Sequence, residues 1–198
     1  SYGGVSYKNR FGQHGIDARA FVRWYRNEFA GSDDTTRQAA SAIRNLSYNA
    51  ALTYDYANRY ILSANFSRMA NDNFSPDNRW GNFWGVSGGW VISEESFMKK
   101  QNVVDLLKLR ASYGKAGQSD TGVGRYPYQS TYAGSTGYGF GYNNTWINGY
   151  AESVIGNENS LWEVSKMLNV GLDWDLWNKK LYGSVDVWKE WRSNILVT

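Results

Sequence analysis

From Met167 to Trp177 the chain alternates strictly. Leu168, Val170, Leu172, Trp174 and Leu176 fall on one side, and Asn169, Gly171, Asp173 and Asp175 on the other. A repeat of two residues is that of a β-strand with one apolar and one polar face. A tight turn at Asn178-Lys179 then leads into a second run, Leu181 to Trp188. Antiparallel pairing sets Leu176 opposite Leu181, Leu172 opposite Val185 and Val170 opposite Val187, with Asp173 opposite Ser184 and Gly171 opposite Asp186. A slip of one residue would mix the faces, so the pattern itself specifies the register.

The design recurs upstream. Leu46, Tyr48, Ala50, Leu52, Tyr54 and Tyr56 alternate with polar or small residues, and after Ala57-Asn58-Arg59 come Tyr60, Leu62, Ala64 and Phe66 in the same phase. Tyrosines crowd the turn end of both strands. Further strands are predicted at 84–92 and 106–114; in the latter Leu107, Leu109, Ala111 and Tyr113 oppose Lys108, Arg110 and Ser112. Less regular alternation marks 2–8 and 16–26. The expected fold is therefore all-β, an antiparallel up-and-down meander of about eight strands.

The connections alternate in length. Short turns join 8 to 16, 56 to 60 and 177 to 180, while longer polar loops occupy 27–44, 68–83 and 115–160. In a meander the long loops leave from one end, and the short turns and the 93–105 segment from the other. Such one-sidedness marks outer-membrane barrels. Lys108, Arg110, Asp173 and Asp186 share the polar face. In a soluble sandwich they would meet water; in a wide membrane barrel they would line a wet lumen while the apolar face meets lipid. Alternation alone leaves both readings open, and aromatics clustered at strand ends favour the membrane, where Tyr and Trp concentrate at the interfaces.

Composition narrows the classes. The 198 residues include 10 Trp, 15 Tyr, 8 Phe and 21 Gly, but 2 Pro and no Cys. Mean hydropathy is −0.58, and no apolar run approaches the roughly 18 residues of a membrane helix. Without cysteine there is no disulfide scaffold and no thiolate zinc site. Net charge is +3 and is not gathered into a basic stripe, so nucleic acid is not the expected partner. Ser1-Tyr2-Gly3-Gly4 has no signal-peptide character, and Asn194-Ile195-Leu196-Val197-Thr198 reads as a strand cut partway, so the expectation is a fragment.

An ordered series of short motifs adds a family resemblance. Tyr54-Asp55-Tyr56-Ala57-Asn58-Arg59-Tyr60 is followed by Asn78-Arg79-Trp80-Gly81-Asn82-Phe83 and by Gly88-Gly89-Trp90-Val91-Ile92-Ser93-Glu94-Glu95-Ser96-Phe97. Then come Leu107-Lys108-Leu109-Arg110-Ala111-Ser112-Tyr113-Gly114, Leu161-Trp162-Glu163, Asn169-Val170-Gly171-Leu172-Asp173 and Val185-Asp186. In that order the chain resembles the C-terminal barrel of SusC/RagA-type TonB-dependent outer-membrane transporters. The resemblance implies part of a 22-stranded barrel in the bacterial outer membrane, with the plug domain absent from residues 1–198. It implies import of glycans, oligosaccharides or peptides, with outer-membrane lipid, a SusD-like surface lipoprotein and TonB as partners. Two places depart from the family pattern: Arg68-Met69-Ala70-Asn71-Asp72-Asn73-Phe74, and Gly156-Asn157-Glu158-Asn159-Ser160 before the Trp-Glu pair.

The 115–160 loop is the most distinctive segment, with Tyr126, Tyr128, Tyr132, Tyr138, Phe140, Tyr142, Trp146 and Tyr150 among many glycines. Aromatic faces stack on the apolar faces of sugars, which makes Tyr138, Tyr142 and Trp146 candidate ligand contacts. The competing account packs these rings on the loop itself or against the lipoprotein. No catalytic residues, cofactor or metal site are expected. Asn71-Asp72-Asn73 with Asp77-Asn78 supplies oxygen donors, but it lacks the EF-hand order and its distal Glu and reads as a turn-rich loop. Asp33-Asp34 and Glu94-Glu95 are chain neighbours that point apart, the latter suiting a short helix start, and His14 has no acidic or nucleophilic partner in view. The alternative function is a soluble, aromatic-rich β-sandwich that binds carbohydrate; a small complete outer-membrane barrel is a third.

Overall fold

The computed structural model describes residues 1–27, 43–119 and 126–195. Ten strands run in chain order: β1 Tyr2–Phe11, β2 His14–Asn27, β3 Ile43–Tyr56, β4 Tyr60–Asn71, β5 Trp80–Val91, β6 Val104–Gln118, β7 Thr131–Phe140, β8 Thr145–Val154, β9 Glu163–Leu176 and β10 Leu181–Ser193. Eight of them form one antiparallel sheet in the order β1-β2-β3-β4-β5-β6-β9-β10, and β7 and β8 pair only with each other. Every neighbour within the eight-stranded sheet is also the next sheet strand along the chain, so the meander is as expected.

The registers follow the hydrophobic pattern. Leu176 opposes Leu181, Leu172 opposes Val185 and Gly171 opposes Asp186, as the alternation requires. Tyr56 opposes Tyr60 across Ala57-Asn58-Arg59, where Ala57 and Asn58 take positive φ and the Arg59 amide donates to the Tyr56 carbonyl at 2.9 Å. The β9–β10 turn differs in length from the expected Asn178-Lys179 pair. It uses Trp177, Asn178, Lys179 and Lys180, with positive φ at the first three, and the Lys180 amide donates to the Trp177 carbonyl at 3.3 Å.

Strands also run further than alternation alone indicated. The 68–83 loop contracts to 72–79, because β4 continues to Asn71 and β5 starts at Trp80. The 115–160 loop is not a plain loop: β6 continues to Gln118, and the β7–β8 hairpin fills its middle. The glycines and small residues of Ala133-Gly134-Ser135-Thr136-Gly137 hid that hairpin, since they carry no apolar repeat. Of the expected 27–44 loop, residues 28–42 lie outside the described residues.

The sheet is a single layer with both faces open. On the apolar face Leu62 is 60% exposed, Val185 56% and Val187 71%, and among the described residues no second layer covers them. Among the described residues, a compact core lies where the β4–β5 and β8–β9 connections meet the sheet: Phe74, Phe83 and Trp162, with Met69 against them. It fills a split. The β5–β6 ladder stops at Trp84 opposite Lys115, although β6 runs on. The Phe83 ring lies beside Gly81 and Gly117, where a Cβ at either position would collide with it. Phe74 and Trp162 stack at 4.9 Å, Phe83 meets Trp162 edge-on at 5.3 Å, and the indole Nε1 of Trp162 donates to the Arg79 carbonyl at 3.2 Å.

Candidate functional site: a polar face, a separate hairpin and the connection beside it

The polar face carries a charge cluster built by three adjacent strands. β6 supplies Arg110, and β9 and β10 supply Asp173 and Asp186. The guanidinium Nε of Arg110 lies 3.1 Å from Asp173 Oδ2, and its Nη2 lies 2.7 Å from Asp186 Oδ2. Gly171, opposite both Arg110 and Asp186, leaves the space in which this fork lies. Three of the four residues expected on the polar face are thus joined. Lys108, opposite Asp173 on β6, makes no ion pair among the described residues.

The aromatic candidates sit on β7–β8 and are not gathered into one surface. Tyr138 opposes Ile147 and Gly139 opposes Trp146, which places Tyr138 and Trp146 on opposite faces of the ribbon. Tyr142 stands in the connecting turn, fully exposed. The Tyr138 and Phe140 rings meet at 5.4 Å and remain largely exposed, forming a two-ring platform on one face. Tyr126 and Tyr128, by contrast, are half-buried and meet edge-on at 6.1 Å.

Most of the polar side-chain atoms named in the 71–78 segment are engaged by the protein's own groups. Asn71 Oδ1 accepts from the Asn73 amide at 2.8 Å, Asp72 Oδ2 from the Arg44 amide at 3.1 Å, and Asn73 Oδ1 from the Tyr126 amide at 3.4 Å. Asn78 Nδ2 and Ser75 Oγ both donate to the Glu158 carbonyl at 3.1 Å. These side chains tie the two connections together. Among the described residues no group of three or more His, Cys, Asp or Glu could hold a metal ion.

Two features escaped the sequence reading. One is a cavity of about 550 Å³ among the ends of β2–β5 and residues 126–129, walled by Trp24, Trp80, Tyr126 and Tyr128. Asp72 and Arg79 line it, and Asp72 Oδ1 and Arg79 Nε are buried without a hydrogen-bond partner. Aromatic walls beside such polar atoms suit a ring that stacks and hydrogen-bonds. The other lies at the short-turn end. Glu95 Oε1 accepts from Tyr60 Oη at 2.6 Å and from Trp90 Nε1 at 3.1 Å, and Arg59 Nη1 lies 3.6 Å from Oε2. The Tyr60 hydrogen bond first, then that of Trp90 and the Arg59 charge, hold this carboxyl below the usual carboxylate range. Glu95 was expected only as part of a helix start; a 3₁₀ turn does form there, at Ile92–Glu94. Its carboxylate instead pins the rings of Tyr60 and Trp90. His14 is likewise local, with Nδ1 2.7 Å from Tyr54 Oη.

The apolar face has the dimensions of a bilayer-spanning surface. On β5, Trp80 and Trp90 bracket Val86 and Gly88 on that face. Ten residues at about 3.3 Å each, tilted by about 40°, rise about 25 Å, which is the height of the lipid-facing band of an outer-membrane barrel. On neighbouring strands Tyr48, Phe66 and Trp84 stand towards one end and Tyr56, Tyr60 and Trp90 towards the other, with Ala50, Leu52, Leu62 and Ala64 between. No helix among the described residues is long and apolar enough to cross a membrane, which leaves crossing by strands untouched.

A sheet with one lipid-like face, one polar face, long connections at one end and short turns at the other is an arc of a membrane β-barrel wall. Comparison with known proteins agrees. No family model matches the chain. It is 35% identical over 165 residues to a TonB-dependent receptor of Formosa agariphila, covering 83% of this chain and 14% of that one. It is 35% identical over 152 residues to the TonB-dependent receptor SusC of Bacteroides thetaiotaomicron, covering 75% of this chain and 15% of SusC. Among solved structures, the RagAB peptide transporter superposes with a TM-score of 0.79 at 19% identity, over 99% of this chain and 24% of that one. The chain belongs to the SusC/RagA-type TonB-dependent receptors, and those relatives are receptors and transporters, not enzymes. It spans about 14–15% of the length of the two receptors just compared.

Proposed function

We propose that the chain forms part of the barrel wall and external surface of a TonB-dependent transporter in the bacterial outer membrane. The carrying observation is the two-faced single layer: an eight-stranded sheet whose apolar face is bracketed by aromatics and left open. A soluble carbohydrate-binding sandwich would set a second sheet against that face. A small complete barrel would pair β1 with β10, and these are the two edges of the sheet.

On this reading Lys108, Arg110, Asp173 and Asp186 line the lumen, and Tyr138, Tyr142 and Trp146 meet cargo outside. Residues 131–154 contain a single charged side chain, Glu152, among their aromatics, amides and hydroxyls. Such a surface supports an uncharged, polyhydroxylated cargo, a glycan or oligosaccharide, over a charged peptide. A SusD-like lipoprotein would sit over the same end, and TonB would act through the rest of the receptor. The test uses the full-length receptor in its own cells. Detergent-dependent extraction with the outer membrane and glycan uptake that stops when TonB is deleted are expected. Recovery as a freely soluble protein would overturn the assignment, and TonB-dependent uptake of peptides alone would overturn the cargo class.

A further inference from the structure

Charge is distributed unequally between the two faces. On the polar face Arg10, Arg19, Arg110 and Arg192 each meet a carboxylate, at 2.7, 2.9, 2.7 and 2.8 Å, while Lys8, Arg23 and Lys108 form no ion pair among the described residues. On the apolar face Arg68, Lys115, Lys166 and Lys189 form no ion pair among the described residues. Aromatic rings neighbour three of them: Arg68 lies 4.9 Å from the Trp80 ring centre, Lys189 5.1 Å from Trp191 and Lys115 6.0 Å from Phe83. Lys115 and Lys166 are directly opposed on β6 and β9. Like charges so placed destabilise a sheet unless an anion lies between them.

The four also share one height. Lys189 opposes Leu168, which opposes Tyr113, which opposes Val86, which opposes Ala64. Ala64 is four residues below Arg68 on β4. The row of cations therefore drops four residues over four strand steps. One residue (about 3.3 Å) per strand spacing (about 4.8 Å) corresponds to a tilt of about 35°, that of strands in an outer-membrane barrel. Tilting the strands by that amount brings the cations to one level, at the long-connection end and beside the aromatic belt. A lipid-facing Lys or Arg is tolerated there because its head reaches the headgroups.

We propose that Arg68, Lys115, Lys166 and Lys189 form a band that binds the phosphate groups of anionic lipids in the outer leaflet. This rests on the barrel reading above. Lys115 and Lys166 converge on one phosphate, while Arg68 and Lys189, each over an indole, hold flanking headgroups.

The test takes the full-length receptor into phosphatidylcholine nanodiscs and titrates phosphatidylglycerol, with inorganic phosphate as a separate titrant. At about fivefold per basic residue, Lys115→Gln with Lys166→Gln is expected to weaken phosphatidylglycerol binding roughly 30-fold. Lys115→Arg with Lys166→Arg should restore it, added salt should weaken it, and Lys180→Gln at the opposite end should not change it. Heat-modifiable migration on gels reports that each variant is a folded barrel. Equal lipid binding by the folded double Gln variant overturns the proposal, and so does inorganic phosphate binding as tightly as the lipid. A receptor that never enters the membrane fraction would instead fail the barrel reading, which separates the two.

Discussion

Gly171 lies directly beneath the guanidinium of Arg110: a Cβ at position 171 would stand 2.6 Å from Arg110 Cζ and 2.7 Å from Asp186 Oδ1. The bridge from β6 to β10 therefore depends on a missing side chain on the strand between them. Gly171→Ala is expected to force the fork out of place and separate Arg110 from Asp186. A crystal structure of the variant receptor should show that distance opened well beyond 2.7 Å while the flanking ladders keep their register.

Around Phe83 the same economy of space operates. Gly117→Ala would push a methyl into the ring that closes the split between β5 and β6. Overpacking of this kind costs about 1–3 kcal/mol. Phe83→Ala would leave a cavity against Phe74 and Trp162 and should cost about 3–5 kcal/mol. Both should appear as lowered unfolding midpoints of the purified receptor, with the larger drop for Phe83→Ala.

Glu95 sets a pH dependence at the short-turn end. Its carboxyl is held below the ordinary range by groups that bond its charged form, so its contribution is present at neutral pH. That contribution fades as pH falls through the ordinary and then the depressed range. Glu95→Gln is expected to lower the unfolding midpoint at neutral pH and to match the unsubstituted receptor in acid. A difference that persists undiminished in acid would contradict the clamp.

The hairpin prediction is asymmetric. Tyr138 shares its face with Phe140, whereas Trp146 lies on the other. Truncating an aromatic side chain that meets a ligand costs about 1 kcal/mol or more, roughly fivefold in Kd. Tyr138→Ala should weaken glycan binding by that factor and Trp146→Ala by less, as read by isothermal titration on the full receptor. The reverse order would move the platform to the Trp146 face.

Much of the wall was legible because alternation and register are the same information. Once Leu172 and Val185 share a face, the pairing of Gly171 with Asp186 follows, and the structure contains it. What stayed hidden has no periodic signal. The β7–β8 ribbon is held by its own ladder and carries glycine where an apolar repeat would stand. The Phe74–Phe83–Trp162 core brings together residues far apart in sequence. The Glu95 clamp depends on where the 92–103 connection returns, and alternation within strands does not encode that. Among the site candidates, shared polar-face membership was readable. The separation of Tyr138 from Trp146 needed the register that the 141–144 turn sets, with Gly139 opposite Trp146.

Among the described residues the ribbon exchanges no backbone hydrogen bonds with the eight-stranded sheet. Its length, composition and charge can therefore change without moving a single wall strand out of register. On the barrel reading proposed above, one scaffold can in this way display many different fingers to the outside while the lipid around it meets an unaltered surface.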